Sequence, residues 1–210
     1  MTSTPQTLAF ASPDEGEELA RAEVYGLLAQ LFYAPPSPDL YAQFQVAVTV
    51  APQAGAFLEL RWGELVAAAR RLPLESIGAE FDALFQGIGK PEVFLYASFH
   101  VAGKLNDKPL IRLRSDLVAL GLERADAVDE TEDHLASLCE VMRYLIAGDD
   151  AGVGNLEAQR RFFDAHLRGW IDAFCDAVEA QPRADFYRAA AAFARDFISV
   201  ESQAFDLMQT

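Results

Sequence analysis

Ionisable side chains are concentrated in the segment 130–135, which reads Glu-Thr-Glu-Asp-His-Leu. Three carboxylates beside one histidine could begin a metal site or an acid/base site, because both need such groups close together. The same cluster could form an acidic surface that binds a basic partner. An apolar stretch follows at once, so the element that positions this cluster has to be worked out first.

We expect the cluster to form the first turn of a helix whose apolar face runs along one side. That face consists of Leu135, Leu138, Cys139, Met142, Leu145 and Ile146. Asp129 as N-cap with Glu132 three residues later resembles a capping box, and acidic side chains in a first turn complement the helix dipole. At 100° per residue, His134 then lies on the shoulder of the buried face and Asp133 points to solvent. Capping accounts for the other acids but does not require Asp133 and His134.

No other segment has the spacing of a catalytic or metal motif. The Gly-Ile-Gly-Lys run at 87–90 is followed by proline and no strand precedes it, so it predicts a turn, not a phosphate loop. Ser98 lacks a nucleophile elbow, and paired Cys and His spacing for zinc is absent. We therefore predict no catalytic residue, no metal and no cofactor, and nothing in the sequence supports a nucleotide or molybdenum-cofactor site. The alternatives are a metal-dependent hydrolase using Asp133 and His134, and a helical adaptor for some other basic partner.

Composition limits the class of protein. A formal charge of −15 argues against nucleic acid and anionic membrane surfaces, which attract clustered Lys and Arg. With 51% hydrophobic residues, 15 of them Phe, the 210-residue chain can bury an ample core. Cys139 and Cys175 lie in apolar helical patterns and predict buried thiols in a reducing compartment. No signal peptide and no stretch long enough for stable membrane insertion is evident, so we predict a cytoplasmic protein.

Apolar periodicity is helical almost throughout, and no segment alternates long enough to predict a strand. We predict an all-α fold of about nine helices over 16–210, after a flexible lead-in at 1–15. The helix boundaries are expected near 39–50, 55–71, 76–86, 93–104, 109–120, 156–179 and 183–208, in addition to a first helix ending before Pro35 and the helix described above. A hinge is expected at 121–130 and a flexible linker at 148–155.

Several motifs, in order, give the chain a family resemblance. Segment 130–142 is similar to the signature helix of the TorD/DmsD/NarJ family of redox-enzyme maturation chaperones, in Glu130-x-x-Asp133-His134-Leu135 followed by Leu138-Cys139-Glu140-Val141-Met142. Further matching elements are Tyr25-Gly26-Leu27-Leu28-Ala29-x-Leu31-Phe32, Phe81-Asp82-Ala83-Leu84-Phe85, Tyr96-Ala97-Ser98-Phe99 and Phe163-x-x-His166-Leu167-x-x-Trp170. The match runs from about residue 20 to 200. It departs at 93–95, where relatives often carry further prolines.

The resemblance implies a non-enzymatic chaperone with two loosely divided helical lobes and the signature helix near the hinge. Its partner would be the catalytic subunit of a molybdenum-cofactor oxidoreductase, held through its twin-arginine leader or its apo form until the cofactor is inserted. Some relatives form domain-swapped dimers, so the chain is expected to be a monomer or such a dimer. The expected client-binding residues are Glu130, Glu132, Asp133, His134, Leu135, Tyr96, Ser98 and Phe99. Structural roles are expected for Phe81, Leu84, Phe85, His166 and Trp170.

The chemistry of a twin-arginine leader fits these residues. Such a leader joins a basic region to an apolar region, so a receptor needs carboxylates for guanidinium groups and an apolar groove beside them. On this hypothesis Asp133→Ala and His134→Ala weaken leader binding with little effect on melting temperature. Flanking carboxylates at Glu130 and Asp133 would raise the pKa of His134 and make binding depend on pH near neutrality, although a structural role for His134 is the alternative.

Overall fold

The computed structural model describes residues 13–49, 58–87, 90–125, 128–148 and 154–208, with side chains from residue 16 onward. Within these ranges the chain forms ten α-helices, and its extended backbone makes one isolated antiparallel bridge but no strand. The all-α prediction is confirmed. The predicted lead-in lies largely outside the described residues, and helix α1 begins inside it, at Pro13. Parts of the predicted hinge and linker, 126–127 and 149–153, also lie outside them.

The helices, in chain order, are α1 (Pro13–Tyr33), α2 (Pro38–Val46), α3 (Glu59–Arg71), α4 (Leu74–Phe85), α5 (Ala97–Ala102), α6 (Lys108–Ala119), α7 (Leu135–Ala147), α8 (Leu156–His166), α9 (Ile171–Glu179) and α10 (Phe186–Leu207). Helix α5 is shorter than the predicted 93–104. The helix predicted at 156–179 is two helices, because the chain leaves the helical path between His166 and Ile171. There the Trp170 indole N–H donates to the His166 carbonyl at 2.7 Å and fixes the break.

The signature helix begins later than predicted. Helix α7 starts at Leu135, and its N-cap is His134, not Asp129. The capping-box prediction is therefore wrong, because residues 130–134 lie outside the helix. Helix α7 packs most extensively against α1, the central helix pair of the fold. At Gly26 in α1, an added Cβ would lie 3.0 Å from Cδ of Arg143, so the two helices approach closely there and a larger residue would require the arginine side chain to shift.

An aromatic cluster fills the core between α1, α4, α9 and α10. Phe32 packs edge-on against Phe85 and Phe174, with ring centroids 6.2 and 5.3 Å away. Phe81 and Tyr187 complete the cluster, and each ring also contacts Phe85. Such edge-to-face pairs add about 0.5–1.5 kcal/mol each to the free energy gained by burial. Leu84 is buried among the same helices, and both cysteines are buried free thiols.

A buried polar network ties the first helix to the last. The guanidinium of Arg21 donates to both oxygens of Glu201 at 2.8 Å, and the Tyr25 hydroxyl donates to the same carboxylate at 3.1 Å. Arg21 also donates to the side chain of Gln159 in α8. Because Glu201 is buried and accepts hydrogen bonds on both oxygens, loss of Arg21 would leave a buried charge without its counterion.

A second buried carboxylate caps the last helix. No side chain near the start of α10 caps its N-terminus. Instead Glu80 of α4 accepts hydrogen bonds from the backbone N–H groups of Asp185, Phe186 and Tyr187, at 2.8 to 3.1 Å. These N–H groups would otherwise be unsatisfied at the helix terminus. Glu80 therefore joins α4 to α10 by the chemistry of an N-cap.

Candidate functional site

Two segments distant in sequence lie side by side at the start of α7. The Leu135 N–H donates to the Leu95 carbonyl at 2.8 Å, and the Ala97 N–H donates to the Asp133 carbonyl at 3.0 Å. Tyr96 and His134 face each other in the antiparallel bridge between them. We call residues 95–98 and 133–135 the bridge. It brings together the Tyr-Ala-Ser motif and the Asp-His-Leu motif that the sequence placed in one candidate site.

Asp133 belongs to the interior of the protein. It is 1% exposed, and its carboxylate accepts hydrogen bonds from the Ser98 N–H at 2.9 Å and the Thr131 hydroxyl at 2.7 Å. The prediction that Asp133 points to solvent is wrong. It assumed helical backbone, whereas residues 131–134 form a turn before α7, closed by the hydrogen bond from the His134 N–H to the Thr131 carbonyl, and the Asp133 side chain points inward toward α5. Both carboxylate oxygens are engaged, so Asp133 positions the bridge.

His134 is also buried, with 3% of its surface exposed. Its Nδ1 accepts a hydrogen bond from the Ala136 N–H at 3.2 Å and so caps α7. Its ring packs edge-on between Tyr96, at 5.1 Å, and Tyr33, at 6.3 Å. Nδ1 is an acceptor in this arrangement, which requires the neutral imidazole.

The pKa of His134 is lowered from its ordinary 6.5 to about 4. Burial is the largest cause, because it disfavours the charged ring, and the nearby carboxylates of Glu130 and Asp133 oppose it without reversing it. The predicted rise in pKa is therefore wrong. The sequence showed the two carboxylates but not the burial that outweighs them.

The remaining predicted site residues differ in accessibility. Tyr96 is half-buried, and its hydroxyl donates to the Glu130 carboxylate. Burial, with a smaller effect of Glu130, raises the pKa of that hydroxyl. Leu135 and Ser98 are buried, and the Ser98 hydroxyl has no hydrogen-bond partner among the described atoms. Phe99 is partly exposed and stacks on Phe94, with ring centroids 3.9 Å apart.

Glu132 is partly exposed and forms an ion pair with an arginine of α6. The guanidinium of Arg114 in α6 donates to the Glu132 carboxylate through two nitrogens, a contact that we call the fork. Nε lies 3.1 Å from both carboxylate oxygens, and Nη2 lies 2.9 Å from Oε2. Burial alone would raise the pKa of Glu132, but the hydrogen bonds and charge of Arg114 lower it. Glu132 therefore has an arrangement that is complementary to a guanidinium group.

A cavity of about 650 Å³ opens beside Glu132, between α1, α7 and the chain after α6. We call it the groove. Its apolar and aromatic lining consists of Ala29, Tyr33, Leu117, Leu122, Ala125, Val128, Ala136, Val141, Tyr144 and Ala147. Its charged lining residues are Glu123, Arg124, Glu132, Glu140 and Arg143. An apolar surface with acidic groups beside it can bind an apolar chain that carries basic groups.

Sequence reasoning missed most of the groove. Ser137, Glu140, Val141, Tyr144 and Gly148 follow one another at helical spacing on the outer stripe of α7, opposite its buried face. Tyr144 keeps 39% of its surface exposed. The signal in the sequence was a partly apolar stripe on the outer side of α7, opposite the face that is already buried. Exposed apolar surface of this kind indicates a binding site for a partner molecule.

A second cavity, of about 440 Å³, lies on the other side of the segment 132–138. Asp133 and Leu138 line it, together with Lys108, His166 and Trp170. The Nε2–H of His166 donates to the Asp116 carboxylate at 2.8 Å, and burial lowers the pKa of His166. His166 and Trp170 are thus packed between α6, α8 and the break before α9, where they line the second cavity.

Among the described residues, no three His, Cys, Asp or Glu side chains are grouped as metal ligands would be. The alternative of a metal-dependent hydrolase placed Asp133 and His134 in such a group. In the structure the Asp133 carboxylate and His134 Nδ1 are instead engaged with the backbone of α5 and α7. No helix in the described part of the chain is both long enough and apolar enough to cross a membrane.

Comparison with known proteins gives consistent matches. Residues 52–176 match the family model described as nitrate reductase delta subunit. A protein named Chaperone protein TorD from Vibrio cholerae serotype O1 is 29% identical over 205 residues, covering 89% of this chain and 92% of the relative. A protein of the same name from Photobacterium profundum is 29% identical over 121 residues, covering 54% of this chain and 56% of the relative. Since the family match spans more than half of the chain and includes the bridge and α7, the chain belongs to the TorD/DmsD/NarJ family.

Proposed function

We propose that this protein is a cytoplasmic chaperone for the maturation of a molybdenum-cofactor oxidoreductase. It binds the twin-arginine leader of the catalytic subunit, or the apo form of that subunit, and holds back export until the cofactor is inserted. Family membership and the name shared by the relatives support the chaperone role. The groove supports the assignment of a leader as ligand.

The single observation that carries this proposal is the pairing of an apolar groove with an acidic edge. Tyr33, Val141 and Tyr144 offer apolar surface to the hydrophobic part of a leader, and burial there contributes roughly 25 cal/mol per Å² before the costs of association. Glu123, Glu132 and Glu140 lie in the same lining and offer carboxylates to the arginines. The formal charge of −15 adds a long-range attraction for a basic peptide.

The structure changes which of the candidate residues we assign to the leader. Glu132 remains a direct contact, because it is among the residues that line the groove. Asp133, His134, Ser98 and Leu135 are assigned to the bridge, which sets the position of Glu132 and of the first turn of α7. In this proposal they support the site without touching the peptide.

The proposal is tested by calorimetric titration with a synthetic twin-arginine leader peptide of a molybdoenzyme catalytic subunit. The same peptide with both arginines changed to alanine, and a scrambled basic peptide of equal charge, are the comparisons. We expect micromolar or tighter binding that depends on the arginine pair. Equal binding of the scrambled peptide would instead support the alternative of a general adaptor for basic partners.

The groove itself is tested with Tyr144→Ala. Because Tyr144 lies in the groove and is partly exposed, we expect about a three- to thirtyfold loss of leader affinity, as found for aromatic contacts at interfaces, with little change in stability. Leu60→Ala is the matched control, since Leu60 is 68% exposed on α3 and is not in the groove lining. Equal affinities of the two variants would place the leader elsewhere.

A further inference from the structure

Glu132 is held in place while its arginine partner is not. The Glu132 side chain is 15% exposed, whereas Arg114 is 52% exposed and extends from the surface of α6. Glu132 lies directly before the bridge, whose backbone hydrogen bonds fix its position. The Glu132 carboxylate is therefore fixed in position, whereas the Arg114 guanidinium can be displaced from it.

The contact between them is also specific in shape. The carboxylate accepts from Nε and Nη2 of the same guanidinium, and both of its oxygens take part. A lysine ammonium is a point charge and cannot reproduce this fork. In the free protein, the carboxylate beside the groove already binds a guanidinium group, and that group belongs to the chain itself.

We propose that Arg114 occupies the guanidinium site that an arginine of the leader takes, so that binding exchanges one guanidinium for another on Glu132. This inference rests on the proposed function and specifies how the same site is regulated. Glu132 stays paired before and after exchange, which avoids the cost of leaving a partly buried carboxylate alone. Because the leader arginine only replaces Arg114, the net free energy that it contributes to binding is reduced. Binding of the leader is therefore reversible, and it is selective for arginine over lysine.

The neighbouring pair of Arg143 and Glu140 does not have this geometry. Nε and Nη2 of Arg143 both lie 2.8 Å from the same oxygen of Glu140, and both side chains are about half exposed. The two residues are three apart on α7, so their contact is a surface pair within one helix. Only Glu132, of these two acids, combines a fixed carboxylate with a fork.

The experiment measures leader affinity in four proteins: wild type, Arg114→Gln, Glu132→Gln and the double variant. The probe is the leader peptide described above, beside a version with both arginines changed to lysine. Since exposed ion pairs contribute about 0.2–1 kcal/mol, we expect Arg114→Gln to bind the arginine leader about two- to fivefold more tightly. When Arg114→Gln is combined with Glu132→Gln, we expect no increase in affinity for the leader. We also expect Arg114→Gln to raise the affinity for the lysine leader less than the affinity for the arginine leader.

Arg112→Gln is the matched control, because it removes the same charge from the same helix. Arg112 is 70% exposed and lies 3.9 Å from Asp116, outside the groove. An increase equal to that of Arg114→Gln would show a general effect of net charge and overturn the exchange. Arg114→Lys keeps the charge but loses the two-nitrogen contact with Glu132. We expect its affinity for the arginine leader to lie between the affinities of the wild type and Arg114→Gln.

The outcomes separate the exchange from the proposed function. Wild-type binding that depends on the arginine pair, without an increase in Arg114→Gln, overturns the exchange and leaves the chaperone proposal intact. Failure of every variant to bind the leader overturns leader recognition, and the exchange with it.

Discussion

The bridge and the edge of the groove contain neighbouring carboxylates with opposite physical roles. Asp133 is enclosed and accepts hydrogen bonds from Ser98 and Thr131, which are fixed parts of the fold. Glu132, the preceding residue, meets a half-exposed arginine that can be replaced. A buried, fully engaged carboxylate stabilises the fold, and a carboxylate at the surface with an exchangeable partner is available to a ligand. Adjacent residues of one acidic motif therefore do not share one function.

The largest expected effect is that of Asp133→Asn on stability. The amide keeps the shape of the side chain but replaces an accepting oxygen with a donor, leaving either the Ser98 N–H or the Thr131 hydroxyl without an acceptor. We expect the free energy of unfolding to fall by about 2–4 kcal/mol, measured by urea denaturation at neutral pH. Asp129→Asn, at an exposed position nearby, is the control. Equal stability of the two variants would show that Asp133 is no more structural than its exposed neighbour.

A similar loss is expected at Glu80, another buried carboxylate. In Glu80→Gln the amide can no longer accept from three N–H groups at the start of α10, and we expect about 1–3 kcal/mol of destabilisation. Glu75→Gln, on the exposed first turn of α4, should cost much less. Hydrogen exchange of the first turn of α10 measures the effect directly. Unchanged protection there would contradict capping by Glu80.

The pH dependence of stability tests the bridge at His134. Its pKa in the folded protein is about 4 and its ordinary value is 6.5, so between these values the unfolded chain binds a proton that the folded chain does not. Stability contributed by the neutral ring is present above pH 6.5 and is lost as pH falls toward 4. Because burial also lowers the pKa values of His100 and His166, all three histidines act with the same sign.

His134→Asn isolates the contribution of that residue. Asparagine keeps a side-chain acceptor for the N-cap but does not titrate. We expect the unfolding free energy of the variant to depend less steeply on pH between 6.5 and 5, by about 1–2 kcal/mol over that interval. Denaturation curves at three pH values measure this. Parallel pH profiles for the variant and the wild type would rule out a buried neutral His134.

The smallest stability effect is expected at the edge of the groove. Glu132→Gln removes one charge from a pair whose arginine is half exposed, so unfolding free energy should change by less than about 1 kcal/mol. Leader affinity, in contrast, should fall. A stability loss as large as that of Asp133→Asn would remove the distinction between bridge and groove edge.

Helical periodicity was sufficient to predict the fold class, because apolar side chains at 3.6-residue spacing mark the buried faces of α1, α7 and α10. It was insufficient for the start of α7. Asp129 and Glu132 have the spacing of a capping box, but residues 131–134 form a turn, and with the backbone hydrogen bonds between 95–97 and 133–135 the helix begins only at Leu135. That competing partner lies almost 40 residues away in the chain, about the separation of Tyr96 and His134, and no local pattern reveals it.

The same limit explains the errors at the candidate site. The order of the motifs placed Tyr96, Asp133 and His134 in one candidate site, and in the structure the bridge brings these three residues together. Their orientation, and therefore the burial of Asp133 and the lowered pKa of His134, depends on tertiary contacts. The break between α8 and α9 was missed because Gly169 is a weak signal within a helical pattern, whereas the hydrogen bond from Trp170 that fixes the break is visible only in the structure.

The pair of Arg21 and Glu201 sets an order for events on the ribosome. Their separation of 180 residues means that Arg21 and Tyr25 emerge long before the carboxylate that satisfies them. At about 5–20 residues per second, α1 waits on the order of ten to forty seconds for its partner. The buried charge pair of α1 is therefore completed only after the intervening helices have been synthesised, including α7, the main packing partner of α1.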